Sequence, residues 1–253
     1  MWTNSTSAWT TRRKTTATTT DPPRPAVPAS SDAVANPLPE KRVQRPGLGA
    51  RLARVVLFHN LGAIVRLGLR LVCGTRVVGE ENVPPRGGVI VAANHSSLSD
   101  AVVLQAFVPR ILTYLMNDKF YYLPVVHPLV RFWGVLVVKR EGINKEALRA
   151  AEAVLAGGDA IGIFPEGGIT REGPVREAQP GVALLAQRAG VPIVPVGMAG
   201  TERLLPPGSG RPYRARLRAF IGKPILPGER RRDDLAAEVT AALRACAERA
   251  REL

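Results

Sequence analysis

The chain has 253 residues and 45% hydrophobic content, enough for one sizeable domain with appendages or for two small ones. Lys and Arg outnumber Asp and Glu by 35 to 21, a net charge of +14, which points to a polyanionic partner such as nucleic acid, anionic lipid or a phosphorylated substrate. Aromatics are only 5%, with no RNA-binding aromatic signature, zinc spacing or basic heptad region, so no nucleic-acid partner is expected.

Two cysteines, Cys73 and Cys246, lie far apart in apolar or helical surroundings and offer neither a disulfide framework nor a metal site; a reducing compartment is the default. The longest charge-free stretch near the N-terminus, Val55 to Val65, contains His59 and Asn60 and falls short of the roughly 18 apolar residues a membrane span needs. Arg12-Arg13-Lys14 is followed by threonines, not by the apolar run of an export signal.

Residues 1–46 are Thr-rich and then Pro-rich, with few large aliphatics to offset the entropy of ordering, and are read as a disordered tail. Residues 47–75 form one helix candidate. Arg51, Arg54, His59, Arg66 and Arg70 fall on one arc, while Ala53, Val56, Leu57, Leu61, Ile64, Leu67 and Leu71 fall opposite. That pattern suits a helix lying in a membrane surface, and equally one packed on its own domain with a solvated basic face.

From Arg76 onward, strand-like and helix-like segments alternate. Strands are predicted at Gly88–Ala92, Leu112–Met116, Gly134–Val138, Ala160–Phe164, Pro192–Gly197 and Arg216–Ile221, and helices at Asn144–Leu155, Pro180–Ala189 and Leu235–Arg251. This alternation predicts an α/β fold with a largely parallel central sheet flanked by helices. Pro192 and Pro195 would place their strand late in the sheet or beside a bulge.

The run Val89–Asp100 ends an apolar, β-branched strand in Asn94-His95-Ser96-Ser97-Leu98-Ser99-Asp100, with Ser97 or Ser99 as candidate N-cap of a following helix. On one continuous helix, residues five apart point about 140° away from each other. His95 must therefore precede the helix, with Asp100 folding back from its first turn. Such a carboxylate fixes the imidazole tautomer and leaves the other ring nitrogen to take a proton from a hydroxyl. The chain has no G-x-S-x-G elbow and no cysteine at a strand-to-helix turn, so that hydroxyl would belong to the substrate. The same pair also fits a loop histidine bonded to a helix-terminal carboxylate.

Three further stretches stand at strand ends. Phe164-Pro165-Glu166-Gly167-Gly168-Ile169-Thr170-Arg171 pairs glycines, which let a ligand approach the backbone, with an arginine suited to phosphate; it also fits a plain turn. Gly134–Arg140 is a strand capped by two cations, and Val191–Val196 is an apolar strand with two prolines.

With these four blocks in this order, the chain resembles the glycerolipid acyltransferases of the 1-acylglycerol-3-phosphate acyltransferase type, over about residues 75–225. The resemblance implies the family's α/β acyltransferase domain over residues 76–253, with residues 47–75 as an amphipathic helix on the membrane surface. It implies transfer of an acyl chain from coenzyme A or acyl carrier protein, as co-substrate, to 1-acylglycerol 3-phosphate, with no cofactor and no metal. His95 would be the base and Asp100 its orienter. Asn94, Lys119, Arg140, Glu166, Gly167, Gly168 and Arg171 would hold the glycerol-phosphate lipid acceptor. The protein would sit, peripheral or monotopic, on the anionic cytoplasmic face of the cell membrane. Where the family's third block runs Phe-Pro-Glu-Gly-Thr/Gly-Arg/Ser, Ile169 and Thr170 stand here before Arg171. That departure keeps other glycerolipid, glycolipid or lysophospholipid acceptors open. A non-catalytic membrane-binding module of the same fold is the reading from another class.

Overall fold

The structure, a computed structural model, describes residues 64–117, 136–138, 145–170, 173–206, 209 and 211–253. The Thr/Pro-rich tail, the first part of the 47–75 helix, and Lys119, Arg140 and Arg171 lie outside them.

Seven strands make one sheet: β1 (Arg76–Val78), β2 (Val89–Ala93), β3 (Leu112–Asn117), β4 (Leu136–Val138), β5 (Ala160–Ile163), β6 (Ile193–Ala199) and β7 (Arg218–Ile221). Their order is β1-β7-β6-β2-β5-β3-β4. All neighbouring pairs are parallel except β6 with β7, so β7 and β1 run against the other five. The helices are α1 (helical over 64–73), α2 (Asp100–Phe107), α3 (Lys145–Ala156), α4 (Pro180–Ala189), α5 (Thr201–Leu204) and α6 (Arg232–Glu252). The six predicted strands and three predicted helices all lie within one to three residues of the observed ones; β1 and α5 were not expected.

The sequence of β2 explains its central place. Every residue from Val89 to Ala93 is buried, because alternate side chains enter two different cores. Ile90 and Ala92 join the core under α3, α4 and α6. Val89, Val91 and Ala93 join the core under α1 and α2. Polar residues on either face would leave one of those helical layers without an apolar partner.

Pro195 sits in β6 between two neighbours, a position normally closed to proline. The pairing explains it. Ile193 bridges Ile225 while Val196 pairs with Ile221, so the chain beyond β7 carries one extra residue, a bulge. The Pro195 carbonyl faces that bulge and accepts from the Gly222 N–H at 2.8 Å. The missing proline N–H therefore falls on the bulged side, and the ladder to β2 stays whole. Two residues on, Gly197 lets α6 lie directly on the strand, since a Cβ there would collide with the backbone of Cys246 and Ala247.

Helix α1 divides its surface differently from either sequence reading. Val65, Leu69 and Cys73 face the domain. Arg66 also turns inward: its Nε donates to the Ala106 carbonyl at 2.6 Å and Nη2 to the Val108 carbonyl at 3.3 Å, meeting carbonyls at the end of α2 that no helical N–H reaches. The basic arc is thus not wholly solvated. Ile64, Leu67 and Leu71, from the expected apolar arc, face outward at 66%, 58% and 75% exposure.

Candidate active site

Five parallel strands end on the same side of the sheet, and β2 delivers its last residues to the middle of that edge. Asn94 comes first. Its Nδ2 donates to the Met198 carbonyl at 3.1 Å, and its Oδ1 accepts from the Met198 N–H at 2.7 Å. The buried side chain thus adds a rung between the ends of β2 and β6, where a substrate-holding role was expected. By pinning the strand end, it fixes where His95 begins.

His95 Nδ1 lies 2.8 Å from Asp100 Oδ2. The same oxygen accepts the N–H of Ser96 at 2.7 Å and of Ser97 at 2.8 Å. An oxygen already taking two amide hydrogens is met by Nδ1 as a third donor, so Nε2 keeps the lone pair. Asp100 opens α2 and is fully buried, folding back as the five-residue spacing requires, while the His95 side chain keeps 19% exposure. Ser99 occupies the N-cap position without a side-chain capping bond, while Ser97 Oγ accepts the Ser99 N–H at 3.2 Å, a capping-type bond to the residue two positions on. Their hydroxyls pair with each other at 3.0 Å, Ser97 Oγ also reaches the Leu205 carbonyl, and Ser96 Oγ pairs with Thr201 Oγ1 at 3.0 Å. These bonds tie the serine loop to α5.

Phe164 stacks on the imidazole, ring centroids 4.2 Å apart, and Tyr114 stacks beyond it at 6.3 Å. Gly162 makes room for Tyr114, because a Cβ there would stand 2.5 Å from the ring. Burial, with the nearby Asp100 charge adding to it, pushes the Tyr114 hydroxyl well above its usual pKa; it donates to the Ala101 carbonyl at 2.7 Å.

The 164–170 turn grips the main chain of His95 from both sides. The His95 N–H donates to Glu166 Oε1 at 2.7 Å, and the Thr170 N–H donates to the His95 carbonyl at 2.7 Å. Glu166 Oε2 accepts the Thr170 hydroxyl and the Arg176 N–H. Glu166 is buried, and its carboxylate holds the main chain of His95 in place. Gly167 has φ +74°, a conformation that favours glycine; a Cβ there would meet only the end of the Gln179 side chain, which can swing aside. Gly168, by contrast, opens onto empty space. Beside the turn lies an open depression lined by Glu166, Thr170, Val175, Arg176, Gln179 and Arg244. Among the described residues no cluster of three or more His, Cys, Asp or Glu could hold a metal.

Of the expected site residues, the structure brings together His95, Asp100, Glu166, Gly167 and Gly168 around one strand end, with Asn94 just beneath. Phe164, Thr170 and Arg176 were not expected there. An aromatic at the end of an apolar strand was a usable signal for Phe164; nothing local marks Arg176, ten residues past the carboxylate it serves.

Residues 74–199 match the family model described as Acyltransferase. The chain belongs to the glycerolipid acyltransferase family. Among curated acyltransferases, the 1-acyl-sn-glycerol-3-phosphate acyltransferase of Borreliella burgdorferi is 29% identical over 149 residues, 57% of this chain and 59% of that one. The enzyme of the same description from Bacillus subtilis is 25% identical over 60% of this chain and 74% of its own. The crystal structure of the 1-acyl-sn-glycerophosphate acyltransferase of Thermotoga maritima superimposes with a TM-score of 0.68 at 25% identity, covering 81% of this chain and 83% of that one. The match spans 59%, 45% and 43% of the acyltransferases from Borreliella burgdorferi, Brassica napus and Arabidopsis thaliana, less than two thirds of each.

Proposed function

We propose that the protein is a membrane-surface O-acyltransferase that moves an acyl chain from a thioester of coenzyme A or acyl carrier protein to the free sn-2 hydroxyl of 1-acylglycerol 3-phosphate, giving phosphatidate. The observation that carries this reading is the His95–Asp100 pair at 2.8 Å, with Nε2 directed away from the carboxylate and no nucleophilic elbow in the sequence. Nε2 takes the hydroxyl proton as the oxygen attacks the thioester carbonyl. The C–S bond breaks, the thiolate leaves, and the proton returns from His95 to the sulfur. No acyl group rests on the protein. Phe164 packs one face of the ring, and the turn at Glu166 and Thr170 holds its main chain, so the base needs little reorganisation during the transfer.

Outward-facing Ile64, Leu67 and Leu71 support a peripheral seat on a membrane, where an acylated acceptor resides, and the net charge of +14 favours the anionic cytoplasmic leaflet. Among the described residues no helix is long and apolar enough to cross a membrane.

A radiolabelled thioester assay over a panel of acceptors, wild type beside His95→Ala, tests the reading. Phosphatidate formed by wild type and lost with His95→Ala is the expected result. Near-wild-type turnover by folded His95→Ala, or an acyl group trapped on the protein, overturns it. Turnover confined to a phosphate-free acceptor moves the activity to another lipid, an outcome that Ile169 in the third block keeps in play.

A further inference from the structure

Resting on the acceptor assigned above, we infer that Arg176 is the cation that receives its phosphate. The third block places Ile169 where the family pattern runs on into a polar or cationic residue, and an aliphatic side chain cannot bind an anion. The structure supplies a guanidinium to the same turn from farther along the chain. Arg176 Nε donates to Thr170 Oγ1 at 2.7 Å, and Nη2 donates to the Ile169 carbonyl at 2.7 Å. Its own main-chain N–H donates to Glu166 Oε2 at 3.1 Å. Three anchors thus hold an exposed arginine in one orientation.

The choice of anchors matters. A guanidinium has five N–H donors in two usable forks, a side edge built on Nε and an end edge built on the two Nη atoms. Here the side edge is used by the turn. Among the described residues the end edge, Nη1 with the second Nη2 hydrogen, meets no acceptor and is left for a planar pair of acceptor oxygens, which is how arginine holds phosphate. The Thr170 hydroxyl donates to Glu166 and so can only accept from Arg176, which makes the donor direction unambiguous. Arg244, held by its Nε on the Val175 carbonyl at 2.9 Å, brings a second guanidinium to the same depression. Glu177 also lines that depression and offsets part of the charge, so selectivity rests on the directed fork at Arg176.

The anchor chain also sets the distance between the two ends of the acceptor. Thr170 binds Arg176 through its hydroxyl and the His95 carbonyl through its N–H. One residue therefore fixes both the phosphate cation and the catalytic base, as an acceptor with its hydroxyl and phosphate on adjacent glycerol carbons requires. Arg176 is a binding and specificity residue in this scheme, and Thr170 a positioning residue.

Binding measured apart from turnover tests the assignment. Full-length His95→Ala protein is titrated with 1-acylglycerol 3-phosphate and with 1-acylglycerol, each in detergent micelles, with and without Arg176→Gln. Arg176→Gln should weaken the phosphate ligand about 10- to 100-fold, the range for a hydrogen bond to a charged group, and the neutral ligand less than about threefold. Arg176→Lys should recover part of the loss, and Thr170→Val, which keeps the guanidinium but removes its Nε anchor, should fall between. Equal weakening of both ligands, no weakening, or a phosphate-selective loss in Arg171→Gln instead would overturn the assignment. Phosphate-selective binding through Arg176 in a protein whose wild type turns over no acceptor would support Arg176 and sink the proposed activity.

Discussion

The main-chain N–H of His95 and the carboxylate of Glu166 meet at 2.7 Å although they stand 71 positions apart in the chain. The bond joins the end of β2 to the turn after β5, so His95 is held by its backbone as well as by Asp100. Glu166 is buried at the edge of the depression, its carboxylate oxygens taken up by His95, Thr170 and Arg176. Glu166→Gln would set an amide N–H either against the His95 N–H or against the donors of Thr170 and Arg176. We expect kcat to fall about 10- to 100-fold, corresponding to about 1.5–3 kcal/mol for a buried charged hydrogen bond, with KM within about threefold. Steady-state kinetics on the best acceptor distinguishes this from substrate binding, which would act on KM first.

Asp100→Asn separates charge from geometry. Asp100 Oδ1 is buried with no partner among the described residues, so the new amide nitrogen can take that place while the oxygen keeps the three donors at Oδ2. The loop should survive, with a melting temperature lowered by a burial cost of about 1–3 kcal/mol. The kcat should drop about 10²- to 10⁴-fold, as the ring loses the charge that stabilises its protonated form. Activity above a tenth of wild type would remove Asp100 from the mechanism.

Leu67→Glu with Leu71→Glu puts two charges on the outward face of α1 while leaving Val65, Arg66, Leu69 and Cys73 against the domain. Sedimentation with anionic vesicles should lose most of the bound protein, and the loss should persist at high salt because the apolar face, not charge, is altered. The melting temperature should stay within a degree or two. Undiminished vesicle binding would assign the membrane seat to another surface.

Burial pushes the Cys246 thiol up from 9.0 to about 11, despite backbone hydrogen bonds from Gly222 and Gly197 and the charge of Arg249, which draw it down. The unfolded chain releases this proton near pH 9 while the native protein keeps it, so the stabilising contribution is whole below pH 9 and is lost as pH climbs towards 11. Denaturant unfolding at pH 8, 9, 10 and 11 should show a flatter decline for Cys246→Ala than for wild type, by at most about 1.4 kcal/mol per pH unit for one proton. Tyr114 adds its own loss above about pH 10 in both proteins. Parallel curves would mean that the thiolate is tolerated where it sits.

Much of the fold was legible because β2, β5 and β6 are short apolar runs bounded by glycine, proline or polar residues, and because α4 starts at proline and stops at Gly190. The strand β1 was not, since Arg76-Val77-Val78 is too short to carry a period and owes its pairing to β7, far along the chain. In the site, His95 and Asp100 were readable from spacing alone, as the loop between them closes on itself. The backbone contacts of Asn94 and Glu166 were not. Both are polar residues beside the expected motifs, and only the tertiary partners, Met198 and the His95 main chain, reveal that they hold backbone. Arg66 falls on the basic arc by its helical phase, yet its guanidinium turns inward to the carbonyls of Ala106 and Val108.

The clamp across 71 positions has a kinetic corollary. The neighbours of β2 are β5 and β6, so the loop carrying His95 gains its bonds to Glu166 and the pinning of Asn94 on Met198 only once two distant segments have crossed over and docked. Contacts of such high sequence separation form late in folding. During refolding from denaturant, helical circular dichroism should therefore recover ahead of acyl transfer. Fragments that end before β5 would carry the complete His95–Asp100 motif and still be inert.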